Sequence, residues 1–519
     1  MKNRLLILLI ALFTSLSAVA EEPVRLVVNI VISGIRDVDL ERYEAGFKYG
    51  GFRRLLGGEN YTHAYYPFVP TTPAALATIS TGALPSLHGV VGKGWWNQNS
   101  GTYTCSVADA SCSTFGADAP ESRVSNQSIV VESLGDVVVR SREGARSVSV
   151  AADPSSAIIL GGTAPSEVWW IDSLSATWTT STKFKTSLPR WVSKYNATGY
   201  WRQLLGKPWV LSRPAKDFVN PESVEAKPYG YKPSREERKE KPVPADIRAL
   251  LHSHISNSMV ADFAKEAIIY NKLGADRVTD ILNVCFDSPS RIVARYGFGS
   301  REVEDMYYRL DESLADLMNF ASAQAGGKVL FVLTTDGSPR EVKDRSKVFN
   351  ASQARFLIGS FLSATYGKDE WVLGVESGGV WLNRTLAFSK GLDLAALQRQ
   401  VGSFALGLRG VSHAITASDM MAGDAKEEGV VAVVQRGFYP KHSPDIYLVL
   451  MPDWCVAEEE GVVPRLSKSL PYAPYRKAIM AISGMGVEPR QVEESVDVRT
   501  LVVRLADRIG VEIPLGAEM

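Results

Sequence analysis

Two adjacent threonines, Thr71 and Thr72, stand before a run of small and apolar residues in the stretch PTTPAALATISTG. A threonine hydroxyl can attack a phosphorus atom when a metal ion or a neighbouring base activates it. A threonine at the start of a helix can instead accept a hydrogen bond from a backbone amide and cap that helix. Which of these roles Thr72 has depends on the groups that the fold places beside it.

Four apolar runs end in residues that could belong to the same site. The runs VRLVVNIVISGI, SVSVAA, DILNVCF and KVLFVLTTD are rich in β-branched residues, as buried parallel strands are. Amphipathic helical patterns separate them, and this alternation predicts an α/β fold with a mostly parallel central sheet flanked by helices. Ligands in such sheets bind beyond the carboxyl ends of the strands. The residues at those ends are Ser33, Asp153, Asp287 and Asp336.

Two segments interrupt the alternation, and we predict that they are insertions into one α/β domain covering residues 21–519. Residues of about 165–245 are rich in Trp, Pro and Lys, which is typical of an inserted cap with a polar loop. Residues of about 365–450 contain three strand-like pieces, and these predict a small α+β subdomain.

The first residues have the pattern of a secretory signal peptide. A basic start, MKNR, precedes an apolar stretch and a small-residue end, AVA, which predicts that residues 1–20 are removed by cleavage after Ala20. The apolar stretch is too short for a membrane anchor, and no later segment is apolar enough to span a bilayer. We therefore expect a periplasmic or secreted protein.

The charge balance argues against nucleic acid as a partner, and the cysteines indicate which covalent or metal links the chain can form. The chain of 519 residues has 57 basic and 57 acidic side chains, whereas a nucleic-acid-binding protein needs a basic face. Cys105 and Cys112 are close enough in sequence to form a small disulfide loop in an oxidising compartment. Cys285 lies in an apolar run and is predicted to be a buried thiol. The sequence contains no CxxC pair, which argues against a structural zinc site.

The order of several motifs resembles the alkaline phosphatase superfamily, in particular exported phosphatases with a threonine nucleophile and the related type I phosphodiesterases and nucleotide pyrophosphatases. The stretch GGFRRLLGGENYTHAYYPFVPTTPAALATISTG follows the family pattern GGFKRLL…PTxTAPGHTSIxTG, and SAIILGGTAPSEVWWID follows SAILPAGHxAxxAYWxD. Two further segments, TSTKFKTSLPRWVSKYN and GFYPKHSPDIYLVLMPDW, are also similar to family segments. The resemblance covers nearly the whole chain after the predicted signal peptide and implies the family's α/β fold.

The resemblance also implies a site, because active relatives use two zinc ions with a threonine nucleophile, which corresponds to Thr72. Among the family's aspartate and histidine ligands of zinc, only the position of Asp336 keeps a ligand residue. The positions that have lost one are Ser33, Ser290, Ala294 and Gly337, with Lys468 or Ser469 for the last histidine. The residues at the family's phosphate-contacting positions are Lys93, Asp153 and Ser155.

A centre of two zinc ions cannot be built from these residues, so no cofactor is predicted. The favoured interpretation is a catalytically degenerate family member, a pseudoenzyme of the cell envelope that binds a protein or a small ligand, with Thr72 as a helix cap. The alternative is an active phosphomonoesterase or phosphodiesterase that uses Thr72 with one magnesium, calcium or manganese ion. The carboxylates that would hold this ion are Asp336, the weaker candidate Asp287, and Asp37 or Asp39. A structural role in an envelope assembly is a third possibility.

Overall fold

The structure of the protein is a computed structural model. A nine-stranded sheet with packed cores on both faces forms its centre. The predicted signal peptide, residues 1–20, lies outside the described residues. Across the part of the chain that the structure describes, no helix is long and apolar enough to cross a membrane. The described residues are 22–98, 100–117, 119–205, 207–221, 244–423, 426–458 and 464–517.

The described strands and helices follow the chain in this order. The strands are β1 (Leu26–Ile32), β2 (Glu59–Tyr65), β3 (Gly94–Trp96), β4 (Tyr103–Cys105), β5 (Ser147–Ala151), β6 (Glu167–Ile171), β7 (Trp178–Thr179), β8 (Asp280–Phe286), β9 (Val329–Thr334), β10 (Arg340–Glu341), β11 (Val348–Asn350), β12 (Val372–Glu376), β13 (Gly379–Leu382), β14 (Val411–Thr416), β15 (Ile446–Leu450), β16 (Cys455–Ala457), β17 (Leu466–Ser467), β18 (Lys477–Gly484) and β19 (Arg490–Asp497). The α-helices are Asp37–Tyr43, Phe52–Leu56, Thr72–Thr81, Pro85–His88, Leu134–Ser141, Pro154–Gly161, Arg190–Thr198, Pro244–Leu251, His254–Asn271, Ser288–Tyr296, Arg301–Gln324, Ala351–Tyr366, Arg384–Ser389, Leu394–Ala405, Ala417–Ala422, Gly429–Arg436, Ala473–Arg476 and Thr500–Ile509.

The main sheet has the strand order β19-β2-β18-β9-β1-β8-β5-β6-β7. The five strands from β9 to β6 run parallel, whereas β18 and β7 join their neighbours antiparallel. β1 lies between β8 and β9, with Leu26 opposite both Asp280 and Val329. The predicted α/β fold with a mostly parallel sheet and flanking helices is confirmed.

β1 is buried on both faces of the sheet, which explains its nearly unbroken apolar sequence. Leu26 and Val28 pack into the core on one face, and Val27 and Val31 pack into the core on the other. Each such side chain stabilises the fold by about 1.5–3 kcal/mol relative to an exposed position. The carboxyl end of this strand is therefore held firmly from both sides.

The segment of about 165–245, predicted to be an inserted cap, begins with strands of the main sheet. β6 and β7 are the last two strands on one side of that sheet, and all five residues of β6 are buried. The cap therefore starts later than predicted, because the two tryptophans of β6 belong to the core of the sheet. The remaining bounds of the cap stay a prediction.

A second sheet lies in the region of about 365–450, for which the sequence predicts a small α+β subdomain. Its strand order is β12-β13-β15-β14, and every pairing is antiparallel. The helices Ala351–Tyr366 and Leu394–Ala405 contribute to the core of this sheet, which is separate from the two cores of the main sheet. The bounds of this subdomain also stay a prediction.

Buried carboxylates of the helix Arg301–Gln324 hold the segment 207–221 against the main domain. Asp305 is fully buried and accepts hydrogen bonds from the Trp209 indole nitrogen and from the Ser212 backbone amide, each at 2.7 Å. Its Oδ2 also accepts a hydrogen bond from Arg309 at 2.7 Å. A buried carboxylate is stable only while such partners remain, so this contact fixes the position of the segment.

We predict that Asp305→Ala lowers the free energy of unfolding by about 3 kcal/mol, because it removes the buried carboxylate that accepts hydrogen bonds from Trp209 and Ser212 and pairs with Arg309. Urea denaturation measures this change. The matched control is Asp316→Ala on the same helix, which removes an exposed ion pair with Lys265 and should change stability by less than about 1 kcal/mol. Equal effects of the two substitutions would contradict the anchoring role of Asp305.

Candidate functional site

The two threonines at the start of the helix Thr72–Thr81 have different roles. Thr71 has an extended backbone and is the N-cap, and its hydroxyl accepts a hydrogen bond from the Ala74 amide at 3.3 Å. Thr72 is the first helical residue. The prediction that Thr72 caps the helix is therefore wrong, because Thr71 occupies the cap position. The carbonyl of Thr71 also accepts a hydrogen bond from the Ala75 amide at 2.9 Å.

Thr72 instead contacts the carboxylate that follows β9. Its Oγ1 donates a hydrogen bond to Oδ2 of Asp336 at 2.6 Å. The other carboxylate oxygen, Oδ1, accepts a hydrogen bond from the backbone amide of Gly34, just after β1, at 3.2 Å. The structure thus brings together the two residues that the sequence singled out, Thr72 and Asp336. A negative neighbour disfavours the alkoxide form of Thr72.

Asp287, the weaker metal candidate, is buried at the end of β8 and is bound by protein groups. Its Oδ2 accepts a hydrogen bond from the Asp153 amide at 3.0 Å, and its Oδ1 accepts one from the Ser156 hydroxyl at 2.5 Å. Burial, and then the charge of Asp153, raise the pKa of Asp287 to about 6. Both oxygens therefore join β8 to the helix Pro154–Gly161.

Asp153, where the family has a phosphate-contacting lysine, is paired with a cation. Its Oδ1 accepts a hydrogen bond from the Ser155 amide at 2.9 Å and caps the helix Pro154–Gly161. Its Oδ2 accepts one from the Arg291 guanidinium at 2.8 Å. Because of this pair, Asp153 repels an anion less than an unpaired carboxylate would. No motif pointed to Arg291, because the partners are far apart in the sequence.

The other positions at which the resemblance predicts a lost zinc ligand are Ser33, Ser290, Ala294 and Gly337, and none has a metal-binding side chain. Ser33 is buried, and its hydroxyl has no hydrogen-bond partner among the described residues. Ser290 donates to the Asp287 carbonyl at 3.1 Å, Ala294 is exposed on its helix, and Gly337 has a positive φ of 118°. The chemistry of this donor set does not fit the two zinc ions that the family resemblance implies.

The carboxylates of the alternative single-metal site do not form a ligand cluster. Both oxygens of Asp39 accept hydrogen bonds from Arg36, each at 2.7 Å, and Asp37 forms an ion pair with Lys477 at 3.5 Å. Within the described ranges, no three His, Cys, Asp or Glu side chains are grouped closely enough to hold a metal ion. In this structure neighbouring cations bind Asp37 and Asp39 instead, and the binding of a single metal ion stays a prediction.

Cys105 and Cys112, for which the sequence leaves the formation of a disulfide open, are free thiols in this structure. Cys105 is exposed on β4, opposite Gly94 of the hairpin, whereas Cys112 is buried and its thiol donates to Asp109 at 3.4 Å. The two side chains are thus held by different local structures. Cys285 is buried in β8, as predicted.

A cavity of about 350 Å³ lies beside Thr72, where it is lined by the main domain and by the four-stranded sheet. A smaller cavity of about 30 Å³ is lined by Thr72, Asp336 and Lys468. Lys93 and Lys468 both line the larger cavity, and neither ammonium group has a hydrogen bond or an ion pair with another described residue. The candidate site is therefore a cleft that contains two unpaired cations.

Lys468 is one of the two residues, with Ser469, at which the family resemblance places the last zinc histidine. Part of its side chain is open to the cleft, yet desolvation lowers the pKa of its ammonium group. Asp336 opposes this effect, and the charges of Lys93 and Arg291 add to it. A partly desolvated cation without an ionic partner is unfavourable in the absence of a ligand, so this position is suited to an anion.

Comparisons with known proteins agree with this fold. The model of the family described as type I phosphodiesterase / nucleotide pyrophosphatase matches residues 27–465. The chain belongs to this family. The matched residues include Thr72 and Asp336 and end three residues before Lys468.

Individual relatives of this family member are distant in sequence. It is 25% identical over 515 residues to alkaline phosphatase PhoV of Synechococcus elongatus, with 95% of this chain and 91% of that protein covered. It is 24% identical over 530 residues to a Myroides odoratus protein named calcium-transporting ATPase, with 97% and 95% covered. A crystal structure of alkaline phosphatase PafA has a TM-score of 0.85 at 21% identity, with 96% and 98% covered, and this likeness shows the fold.

We predict that Thr71→Ala lowers the free energy of unfolding by about 1 kcal/mol, because the Ala74 amide loses its cap. Thr71→Ser keeps the hydroxyl and should change stability by less than about 0.5 kcal/mol. Urea denaturation of the three proteins checks this. If alanine and serine at position 71 were equally stable, the capping role of Thr71 would be refuted.

Stability should also depend on pH through Asp287. Its folded-state pKa is raised from 3.8 to about 6, so the carboxyl stabilises the fold below its unfolded pKa. This contribution is lost as the pH rises through the folded-state pKa. We therefore predict that the stability of Asp287→Asn relative to wild type increases between about pH 4 and pH 7, as measured by urea denaturation at several pH values.

The control for this pH dependence is Ser156→Ala, which removes one hydrogen bond to Asp287 but keeps the carboxyl group. The stability of Ser156→Ala relative to wild type should therefore show no such increase over the same pH range. Burial raises the pKa of Asp280 to about 6 as well, and this group is present in every variant, so its effect cancels. A difference between Asp287→Asn and wild type that does not change with pH would be inconsistent with the prediction.

Proposed function

We propose that this family member binds an anionic ligand in the cleft beside Thr72 and does not hydrolyse phosphate esters by the metal-dependent route. The observation that carries the proposal is the 2.6 Å hydrogen bond from the Thr72 hydroxyl to Asp336. A carboxylate acceptor keeps the hydroxyl protonated, and a protonated threonine is a poor nucleophile. No metal-binding cluster among the described residues offsets this effect.

The cleft has three features that favour an anion. Lys93 and Lys468 supply two ammonium groups without partners among the described residues. The helix Thr72–Thr81 begins at the same place, and the partial positive charge of a helix N-terminus attracts anions. Hydrogen bonds to charged groups contribute about 1.5–3 kcal/mol each, so two lysine contacts are sufficient for measurable binding.

The cellular setting is part of the same proposal. The signal-peptide pattern of residues 1–20 supports a place in the periplasm or outside the cell. In that setting the anion would be a small ligand or a group on an envelope protein.

An active phosphoesterase is the second candidate. The family name and the relative PhoV, which is named an alkaline phosphatase, favour it. The short Thr72–Asp336 hydrogen bond is also the geometry in which a carboxylate removes a proton from a hydroxyl. In this case Asp336 would act as the general base, and Lys468 would stabilise the negative charge that develops on the phosphate.

Hydrolysis assays distinguish the two candidates. Purified protein is incubated with 4-nitrophenyl phosphate and with bis(4-nitrophenyl) phosphate, each with zinc, magnesium, manganese, calcium or chelator. We expect the wild type and Thr72→Ala to give the same background rate in every condition, because the Thr72 hydroxyl stays protonated. Isothermal titration of methylphosphonate should show binding that Lys468→Met weakens by about tenfold.

The control in both assays is Lys194→Met, which removes an exposed lysine that does not line the cleft and should leave binding unchanged. Turnover that disappears in Thr72→Ala, or in Asp336→Asn, would instead establish the active phosphoesterase. Zinc bound in stoichiometric amounts, measured by elemental analysis, would also contradict the proposed function.

A further inference from the structure

The 350 Å³ cavity has mostly apolar walls, and it is larger than a phosphate ion requires. Trp381 and Trp454 lie in its wall and are nearly fully buried. The indole N–H of Trp381 has no acceptor among the described residues. Pockets for small organic molecules have volumes of about 300–1,000 Å³, so this cavity fits one ring system or a short chain together with a polar head.

The charged side chains of the larger cavity fall into two groups, according to whether they also line the smaller cavity beside Thr72. Lys468 lies at the end nearest Thr72. Lys93, Glu376 and Glu458 line the larger cavity but not the smaller one, which Thr72 and Lys468 also line. Desolvation raises the pKa of Glu376 and of Glu458, and the charge of Glu458 adds to the shift of Glu376. The two glutamates therefore belong to the part of the larger cavity that lies outside the smaller one, whereas Lys468 lines both cavities.

Neither glutamate has a cationic partner within ion-pair distance among the described residues. Glu376 accepts a hydrogen bond from the Tyr103 hydroxyl at 3.4 Å, and Glu458 accepts one from the Ser377 amide at 2.8 Å. These neutral donors orient the two carboxylates without neutralising them. A ligand that placed a second negative charge beside Glu376 and Glu458 would be repelled, because neither carboxylate has a cation within ion-pair distance among the described residues.

We infer that the ligand is a small amphipathic monoanion whose oxyanion contacts Lys468 and Lys93 and whose apolar body lies against Trp381 and Trp454. This inference rests on the anion-binding function proposed above and adds the chemical class of the ligand. Glu376 and Glu458 act as a selectivity element, because they reject molecules that carry anionic groups at both ends. Burial of the apolar body adds affinity at about 25 cal/mol per Å².

Isothermal titration of the full chain with three phosphonates tests the inference. Methylphosphonate represents the head alone, naphthylmethylphosphonate adds an apolar body, and naphthalene with a methylphosphonate at each end adds a second anion. The carbon–phosphorus bond excludes ester hydrolysis during the measurement. We expect naphthylmethylphosphonate to bind about tenfold more tightly than methylphosphonate, and the bisphosphonate to bind about tenfold more weakly than naphthylmethylphosphonate.

Three variants locate the contacts. Lys93→Met should weaken binding of naphthylmethylphosphonate by about tenfold, whereas Lys194→Met should change it by less than about twofold. The double variant Glu376→Gln, Glu458→Gln should restore binding of the bisphosphonate, since it removes the repulsion and keeps the shape of both side chains.

Gly92 offers a separate test of the apolar body. Gly92 lines the cavity, and a Cβ atom at this position would meet only the Gly94 carbonyl, at 4.0 Å. Gly92→Leu should therefore fill part of the cavity without disturbing the core. It should reduce the affinity for naphthylmethylphosphonate and spare that for methylphosphonate, and Gly92→Ala is the matched control.

The outcomes separate this inference from the proposed function. If the methyl and naphthyl compounds bind equally well, the inference is overturned and the anion-binding function stands. If no phosphonate binds, both are overturned. If naphthyl phosphate is hydrolysed in a Thr72-dependent reaction while the order of phosphonate affinities is as expected, the proposed function falls and the ligand class remains. Equal binding of the bisphosphonate to wild type and the double glutamine variant would overturn the selectivity role of the glutamates.

Discussion

The hydrogen bond between Thr72 and Asp336 is the contact on which the chemistry of the cleft depends. It joins the start of one helix to the end of β9, and the Gly34 amide after β1 holds the other carboxylate oxygen. Three segments of the main domain therefore meet at one carboxylate. Because that carboxylate is negative, it stabilises the neutral threonine, whereas a metal ion would stabilise the alkoxide.

The positive charge of the cleft comes from two lysines. The described residues contain no group of side chains that could hold a metal ion. Lys468 acts on Asp336, and Lys93 continues the positive region into the larger cavity. Ammonium groups attract anions as a metal ion does, but a lysine is a mobile point charge with hydrogen-bond donors and has no open coordination position. This difference is the physical basis of the proposed anion-binding function.

The fold could be predicted from the sequence because the buried strands are continuous apolar runs, and the proximity of Thr72 and Asp336 agrees with the rule that ligands lie at strand ends. Details set by single atoms could not be predicted, such as the choice of Thr71 as the cap. β19 could not be predicted from an apolar pattern either, since most of its side chains are exposed and polar. The pairing of Asp153 with Arg291 depends on the tertiary fold, and no local pattern encodes it.

The position of the larger cavity has a consequence for the mechanics of the protein. One wall belongs to the main domain, and the other belongs to the four-stranded sheet, which has its own hydrophobic core. A molecule in this space touches both units and stabilises each only while the other is folded. A bound ligand would therefore make the two units unfold as one cooperative block. The stability of the smaller sheet would then depend on the concentration of free ligand around the protein.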